Sequence, residues 1–247
     1  MKKFNIQGSI VLITGANRGI GKAFAEELIK RGVKKIYAGA RNIESLKELT
    51  ALAPERIKPV RLDVTNESEV LAAAAAALDV NVLINNAGRA DYAALVGAPD
   101  MRSARGEMEV NYFGLLNMVR AFQPVLKRNG GGQIINISSV AGLVGIPALG
   151  TYSATKAAVH SLTQSLRGEL AAAGTIVTGV YPGATDTEMT KDLQLEKTSP
   201  AQLVNNILES LEKGEEDIFP DKISREMALG LKTDAKTVEK QWAQFLP

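Results

Sequence analysis

Six short apolar runs rich in β-branched residues punctuate the chain: SIVLIT (9–14), KKIYAGA (34–40), IKPVRLD (57–63), VNVLIN (80–85), GQIINIS (132–138) and TIVTGVY (175–181). Stretches with helical spacing separate them. Strands that are apolar on nearly every residue have no face for water, so they belong in a parallel sheet covered by helices on both sides. The expected fold is therefore an α/β, doubly wound parallel sheet in three α/β/α layers. A helix over 200–213 followed by EEDIFP (215–220) would bring the sheet to about seven strands. No repeat, low-complexity tract or linker divides the 247 residues, so 1–247 reads as a single domain.

Charge and composition narrow the function. There are 29 basic and 27 acidic side chains, a formal net charge of +2, and this balance argues against nucleic-acid or membrane-surface partners. The absence of cysteine and a single histidine leave no disulfide, thiolate or ordinary zinc chemistry. The start, MKKFNIQGS, lacks an apolar segment before a cleavage site. The longest apolar stretch, VLAAAAAAL (70–78), falls short of the roughly 18 residues of a membrane span. A cytoplasmic protein handling a small molecule is the expectation.

In an open parallel sheet, ligands bind beyond the carboxyl ends of the strands. After the first strand comes GANRGIG, with Gly15, Asn17, Arg18, Gly19, Ile20 and Gly21, and then a helical stretch. Glycines in that position let the backbone approach a pyrophosphate seated at the helix N-terminus. The second strand ends YAGAR, so Ala40 stands where an NAD site places an acidic residue on the ribose, and Arg41 follows. Arg41 with Arg18 offers guanidinium groups to a ribose phosphate, which favours NADP(H) over NAD(H).

The spacing of this loop resembles the short-chain dehydrogenase/reductase family, whose fold is of the Rossmann type. Further motifs follow in the order of that family: Asp63 and Val64 in LDV, Asn86, Ala87 and Gly88 in INNAG, Asn111 in EVNYFG, Ser139 in INISSVAG, Tyr152 and Lys156 in TYSATK, and Pro182 and Gly183 in YPG. Asn111, Ser139, Tyr152 and Lys156 match its catalytic tetrad. The resemblance implies that Tyr152 exchanges a proton with a carbonyl or alcohol oxygen, that Ser139 polarises that oxygen, that Lys156 holds the nicotinamide ribose, and that Asn111 steadies a water. Asp63 would take the adenine edge. Thr187 would bind the carboxamide, with Thr185 contacting it where the family usually has Val or Ile. Local roles compete with these: Asp63 can cap a turn, Asn85 and Asn86 can satisfy backbone groups, and Ser139 can finish a strand. An unperturbed tyrosine has a pKa of about 10, and an ammonium one turn away, at Lys156, is expected to lower it. His160 lies roughly 12 Å along the helix from Tyr152 at about 1.5 Å per residue, too far for one proton transfer.

Segment 188–199 reads as a lid over the substrate and 200–247 as a C-terminal helix and strand extension. Val140, Leu143, Leu149, Ala184, Met189 and Leu193 suggest an apolar pocket without a fixed cation, suited to a neutral ketone, aldehyde or secondary alcohol. The expected activity is that of an NADPH-dependent carbonyl reductase or alcohol dehydrogenase. The alternatives are a 3-oxoacyl-carrier-protein reductase-like enzyme and a non-catalytic NADP(H)-binding sensor. The helical ending VEKQWAQFLP is unlike the glycine-rich closing strand of the former and weakens the case for a tetramer. A homodimer or homotetramer is expected, pairing through the helices around Asn111 and Tyr152, the second of which reads as apolar all round.

Overall fold

The computed structural model describes residues 5–246. Seven parallel strands form one sheet in the order β3-β2-β1-β4-β5-β6-β7. They are β1 Ile10–Thr14, β2 Lys35–Ala40, β3 Ile57–Arg61, β4 Val82–Asn85, β5 Gly132–Ile137, β6 Thr175–Val180 and β7 Asp217–Ile218. Each expected strand is present. The third stops short of Leu62 and Asp63, and the seventh shrinks to two residues. Pro59 is tolerated because β3 is an edge strand, where a missing N–H need not interrupt a ladder.

Eight α-helices flank the sheet: α1 Gly19–Lys30, α2 Lys47–Leu52, α3 Glu67–Ala76, α4 Arg102–Met108, α5 Leu115–Arg128, α6 Gly150–Ala171, α7 Pro200–Lys213 and α8 Lys222–Trp242. Alternate residues of β1 face opposite layers. Val11 and Ile13 join Phe24, Leu28, Ile207 and Leu211 beneath α1 and α7. Ile10 and Leu12 join Val70, Met118, Phe122, Leu162 and Leu166 beneath α3, α5 and α6. Two-sided burial is why the strands read as continuous apolar runs. No described helix is long and apolar enough to cross a membrane.

Helix α6 departs from its expected character. Val159, Leu162, Leu166 and Leu170 all turn inward, and the outer face is Ala154, Ala157, Ser161, Gln164, Ser165 and Gly168. Its large apolar residues therefore occupy one side only. The C-terminal extension is also specific in shape. Helix α8 bends at Asp234 (φ −152°, ψ 81°), whose carboxylate accepts from Thr237 N at 3.0 Å and Thr237 Oγ1 at 2.7 Å and so caps the second half afresh. The helix lays Met227, Leu231, Val238 and Trp242 against Val140, Val144, Ile146 and the Tyr152 ring.

The centre of the sheet contains a buried polar chain. Asn85 and Asn136 are register partners on β4 and β5. Asn85 Nδ2 donates to Asn136 Oδ1 (2.9 Å), and Asn136 Nδ2 donates to Thr163 Oγ1 (3.0 Å) on α6. Leaving such groups unpartnered costs about 1–3 kcal/mol each. Asn136→Ala should therefore lower unfolding stability by roughly 2 kcal/mol or more, and adding Asn85→Ala should cost less than the sum of the single effects. Urea unfolding of the two single variants and the double checks this, and strict additivity would contradict the linkage.

Candidate active site

The strand order reverses between β1 and β4, and the loops leaving these strands open a crevice at the carboxyl edge. Side chains hold that crevice in shape. Thr14 Oγ1 accepts from the backbone N–H groups of Asn86 and Ala87, both at 2.9 Å. In return, Asn86 Nδ2 donates to the carbonyls of Thr14 (2.9 Å) and Gly15 (3.1 Å). Asn86 thus braces the glycine turn. Gly15 has φ +65°, which L side chains rarely adopt. A Cβ on Gly21 would run into the Gly15 carbonyl and lie 2.6 Å from Asn86 Nδ2. The first turn of α1 begins at Arg18, which makes no side-chain cap, so its amides face the crevice without a protein partner of that kind.

Arg18 and Arg41 are exposed on the same edge, and neither guanidinium forms an ion pair with another described residue. Ala40, the last residue of β2, is buried. Asp63 Oδ1 accepts from Thr65 N (3.0 Å) and Thr65 Oγ1 (2.8 Å), so its turn-capping role is real. Val64 turns its side chain into the core against Gly114, and its carbonyl accepts from Asn117 Nδ2 (3.2 Å). Thr185 is buried, and its Oγ1 has no partner.

Across the crevice lie the four polar residues expected from the motifs. Asn111 occupies a π-helical segment, Glu109–Gly114, of the kind that often marks functional sites. Its carboxamide accepts from Arg89 N (2.8 Å) and donates to Arg89 O and Thr155 Oγ1 (both 2.9 Å), leaving one acceptor site on Oδ1. Gly88 stands beside both Asn111 Oδ1 and Lys156 Nζ. Lys156 is buried, donates from Nζ to Ile137 O (2.8 Å), and lies 5.5 Å from the centre of the Tyr152 ring. Ser139 lies two residues beyond β5 and caps a 3-10 turn, Val140–Gly142, where its Oγ accepts from Ala141 N (3.2 Å) and donates to Pro182 O (3.4 Å). That turn packs directly on the Lys156 backbone at Gly142. The serine is thereby held beside the helix that carries the tyrosine and lysine.

The electrostatics differ from the sequence expectation. Burial pushes the Tyr152 phenol above its ordinary value, and the Ser139 hydroxyl pulls in the opposite direction. Lys156 does not supply the expected lowering; burial depresses its own pKa from 10.5 to about 8. Desolvation of both groups outweighs their mutual attraction.

Several other expected residues find places around this centre. Gly183 N donates to Asp221 Oδ2 (2.8 Å), while Asp221 Oδ1 caps α8 by accepting from Ser224 N (2.8 Å). Thr187 caps a short turn, Glu188–Thr190, and its methyl lies over Gly19 of the cradle. Leu143 and Leu149 pack with Tyr152, and Val140 is buried beside them. Met189 is exposed, and the Ala184 carbonyl accepts from Thr198 N (3.0 Å). Leu193 is half-buried, its N–H bonded to Thr190 O (3.0 Å). His160 turns away and meets the Tyr181 hydroxyl through Nδ1 (2.7 Å).

Four contributors stand outside the sequence reading: Thr14, Glu107, Asp221 and the inner face of α8. Glu107 is wholly buried on α4, accepts from Asp91 N (2.7 Å), and leaves its second carboxylate oxygen unpartnered.

A glycine cradle at the switch point of a doubly wound sheet, faced by serine, tyrosine and lysine, defines a dinucleotide-type oxidoreductase architecture. The profile of the short chain dehydrogenases matches residues 9–198, and the chain belongs to that family. It is 40% identical to a short chain dehydrogenase from Burkholderia cenocepacia solved in complex with NADP, with a TM-score of 0.92 over 97% of this chain and 99% of that one. An oxidoreductase of Botryotinia fuckeliana is 35% identical over 87% of this chain and 81% of its own length. A 3-ketoacyl-(acyl-carrier-protein) reductase from Brucella melitensis, complexed with NADH, is 27% identical with a TM-score of 0.77, covering 83% of this chain and 91% of that one.

The depressed Lys156 value has a consequence for stability. The unfolded chain binds more protons than the folded one between about 8 and 10.5, so this group makes stability rise with pH across that window. Lys156→Met removes that contribution. In the apoprotein, the melting temperature of the variant relative to wild type should fall as pH rises through the window. A pH-independent difference would show that Lys156 is not buried as described.

Proposed function

We propose that the protein is an NADPH-dependent carbonyl reductase, equally an alcohol dehydrogenase in reverse, acting on a small neutral ketone, aldehyde or secondary alcohol. The observation that carries this reading is the buried Lys156 beside the Tyr152 ring with Ser139 held close to the phenol.

The crevice residues fit a dinucleotide. Gly15, Asn17, Gly19, Ile20 and Gly21 would surround the pyrophosphate, and a side chain on Gly21 would displace the Gly15 carbonyl that shapes the turn. The unpaired Arg18 and Arg41, with apolar Ala40 in place of an acid, suit a ribose phosphate. Asp63 and the Val64 backbone would take the adenine. Asn86, Ala87 and Gly88 would line the path to the nicotinamide, which Pro182, Gly183, Thr185 and Thr187 would hold, with the orphaned Thr185 hydroxyl available to it. The NADP complex of the Burkholderia relative supports this choice. When bound, reduced nicotinamide supplies a hydride to the carbonyl carbon.

The protein's own part is the proton. Tyr152 is a neutral phenol at physiological pH, as a donor must be, and it would give its proton to the carbonyl oxygen as negative charge develops there. Ser139 would donate to the same oxygen. As the phenol becomes phenolate, the Lys156 ammonium close by stabilises it, so the pair interacts most strongly in the transition state. Asn111 would hold a water from which Lys156 is reprotonated. Val140, Leu143, Leu149, Ala184, Met189 and Leu193 would surround an uncharged substrate, joined by Leu231 and Trp242 of α8. A homodimer or homotetramer through α5 and α6 is part of the reading, supported by half-exposed Phe113 and the small-residue outer face of α6.

Tyr152→Phe should lower NADPH-dependent turnover of a ketone panel by about 10²-fold or more while leaving NADPH binding by fluorescence titration nearly intact. Substantial residual turnover would remove Tyr152 from the donor role. Arg41→Asp should reduce the NADPH-to-NADH ratio of kcat/KM by about tenfold or more, the worth of a charge-assisted bond. An unchanged ratio would place the ribose phosphate elsewhere.

A further inference from the structure

We propose that Tyr92 is the latch of the segment 188–193, a positioning residue whose phenol reaches across the cleft to the Met189 carbonyl and holds that segment over Tyr152. The inference builds on the reading of 188–199 as a substrate lid.

Tyr92 is the one non-glycine described residue with positive φ, at +54°. A bulky aromatic residue is disfavoured in the left-handed region and persists there only where its surroundings enforce it. The surroundings here are rigid on both sides. Asp91 N donates to Oε1 of the buried Glu107 (2.7 Å), and the Asp91 carboxylate is held by Arg89 through two bonds of 2.8 and 2.7 Å. On the other side, Ala93 O accepts from Thr151 N and Thr151 Oγ1, both at 3.2 Å, in the first turn of α6. Between these clamps the chain must turn at Tyr92, and the turn aims the ring at the opposite wall, where its hydroxyl donates to Met189 O.

The far wall has its own fastenings, all local. Asp186 N bonds Thr198 O (2.9 Å) and Thr198 N bonds Ala184 O (3.0 Å), closing the base of the segment. Thr190 Oγ1 donates to Thr185 O, and Lys191 pairs with Glu188. Among the described residues, the bond from Tyr92 is the only hydrogen bond that reaches 188–193 from across the cleft. The phenol also lies near enough to Tyr152 to disfavour its ionisation. A latch in that position closes the space in front of the proton donor and excludes water from it. Glu107 acts behind it as the anchor of Asp91.

Tyr92→Phe keeps the ring and removes the bond. By hydrogen–deuterium exchange of the NADPH-free protein, amides of 188–193 should exchange roughly threefold to tenfold faster in the variant, the worth of one net hydrogen bond, while those of the β5 core stay unchanged. With NADPH and an accepted ketone, the loss should fall on KM and not on kcat. Unchanged exchange in 188–193 would overturn the latch, and a drop in kcat at constant KM would assign Tyr92 to the chemistry instead. Glu107→Gln, which keeps an acceptor for Asp91 N, should exchange as wild type, whereas Glu107→Leu should reproduce Tyr92→Phe; equal behaviour of the two would exclude the anchoring role. The exchange readout needs no turnover, so inactivity toward every ketone would count against the proposed function and not against the latch.

Discussion

The ends of β1 and β4 are stitched together by four hydrogen bonds, two accepted by the Thr14 hydroxyl and two donated by the Asn86 carboxamide. Everything at the carboxyl edge depends on this join. It lies where the strand order reverses, the switch point beyond which doubly wound sheets bind their ligands. Because the bonds use side chains, the backbone of the glycine turn is fixed without occupying the space above it. The first turn of α1 can then present its amides to an anion, and the Gly88 backbone reaches the vicinity of Lys156 and Asn111.

The opposite wall is organised by burial more than by ion pairing. Lys156 gives its proton-rich end to a backbone carbonyl, and Tyr152 packs among aliphatic side chains of α8 and the loop after β5. Both groups are thereby held toward their neutral forms. A phenol that resists ionisation is a poor base but a well-stocked acid, which suits reduction at neutral pH. The amine with pKa near 8 is poised to respond to a developing negative charge. The site stores little charge at rest, and in the proposed reaction creates it only as the carbonyl oxygen becomes negative.

Much of this was legible in the sequence because it rests on local pattern. The strands declared themselves through unbroken apolar runs, and the cradle through glycines placed after one run and before a helix. Tyr152, Lys156 and Ser139 are grouped through the resemblance to the short-chain dehydrogenase/reductase family, on motifs that follow strand ends or share a helical turn. What could not be read depends on docking between distant segments. Nothing near Trp242 marks it as a neighbour of Tyr152, since that contact follows from where α8 settles. Glu107 looks like any helix-surface acid until α4 is placed, and Tyr92 looks like any loop aromatic until both its flanks are tied. The acidity of Tyr152 was misjudged for the same reason. The i, i+4 lysine is visible in the sequence, whereas the desolvation that overrides it belongs to the folded environment.

Asp221 joins two regions that are usually thought of separately. One carboxylate oxygen holds the backbone at Gly183, and the other starts α8, the helix that packs against Tyr152. Substrate range in such a chain cannot drift freely from cofactor grip. Exchanging α8 for the corresponding segment of a relative transplants half of a hinge pin, and a donor segment lacking an acid at this position would loosen the loop that carries Pro182 and Gly183. Under the proposed function, diversification of substrate range is channelled toward substitutions within α8, beyond its first turn, and away from replacement of the helix as a whole.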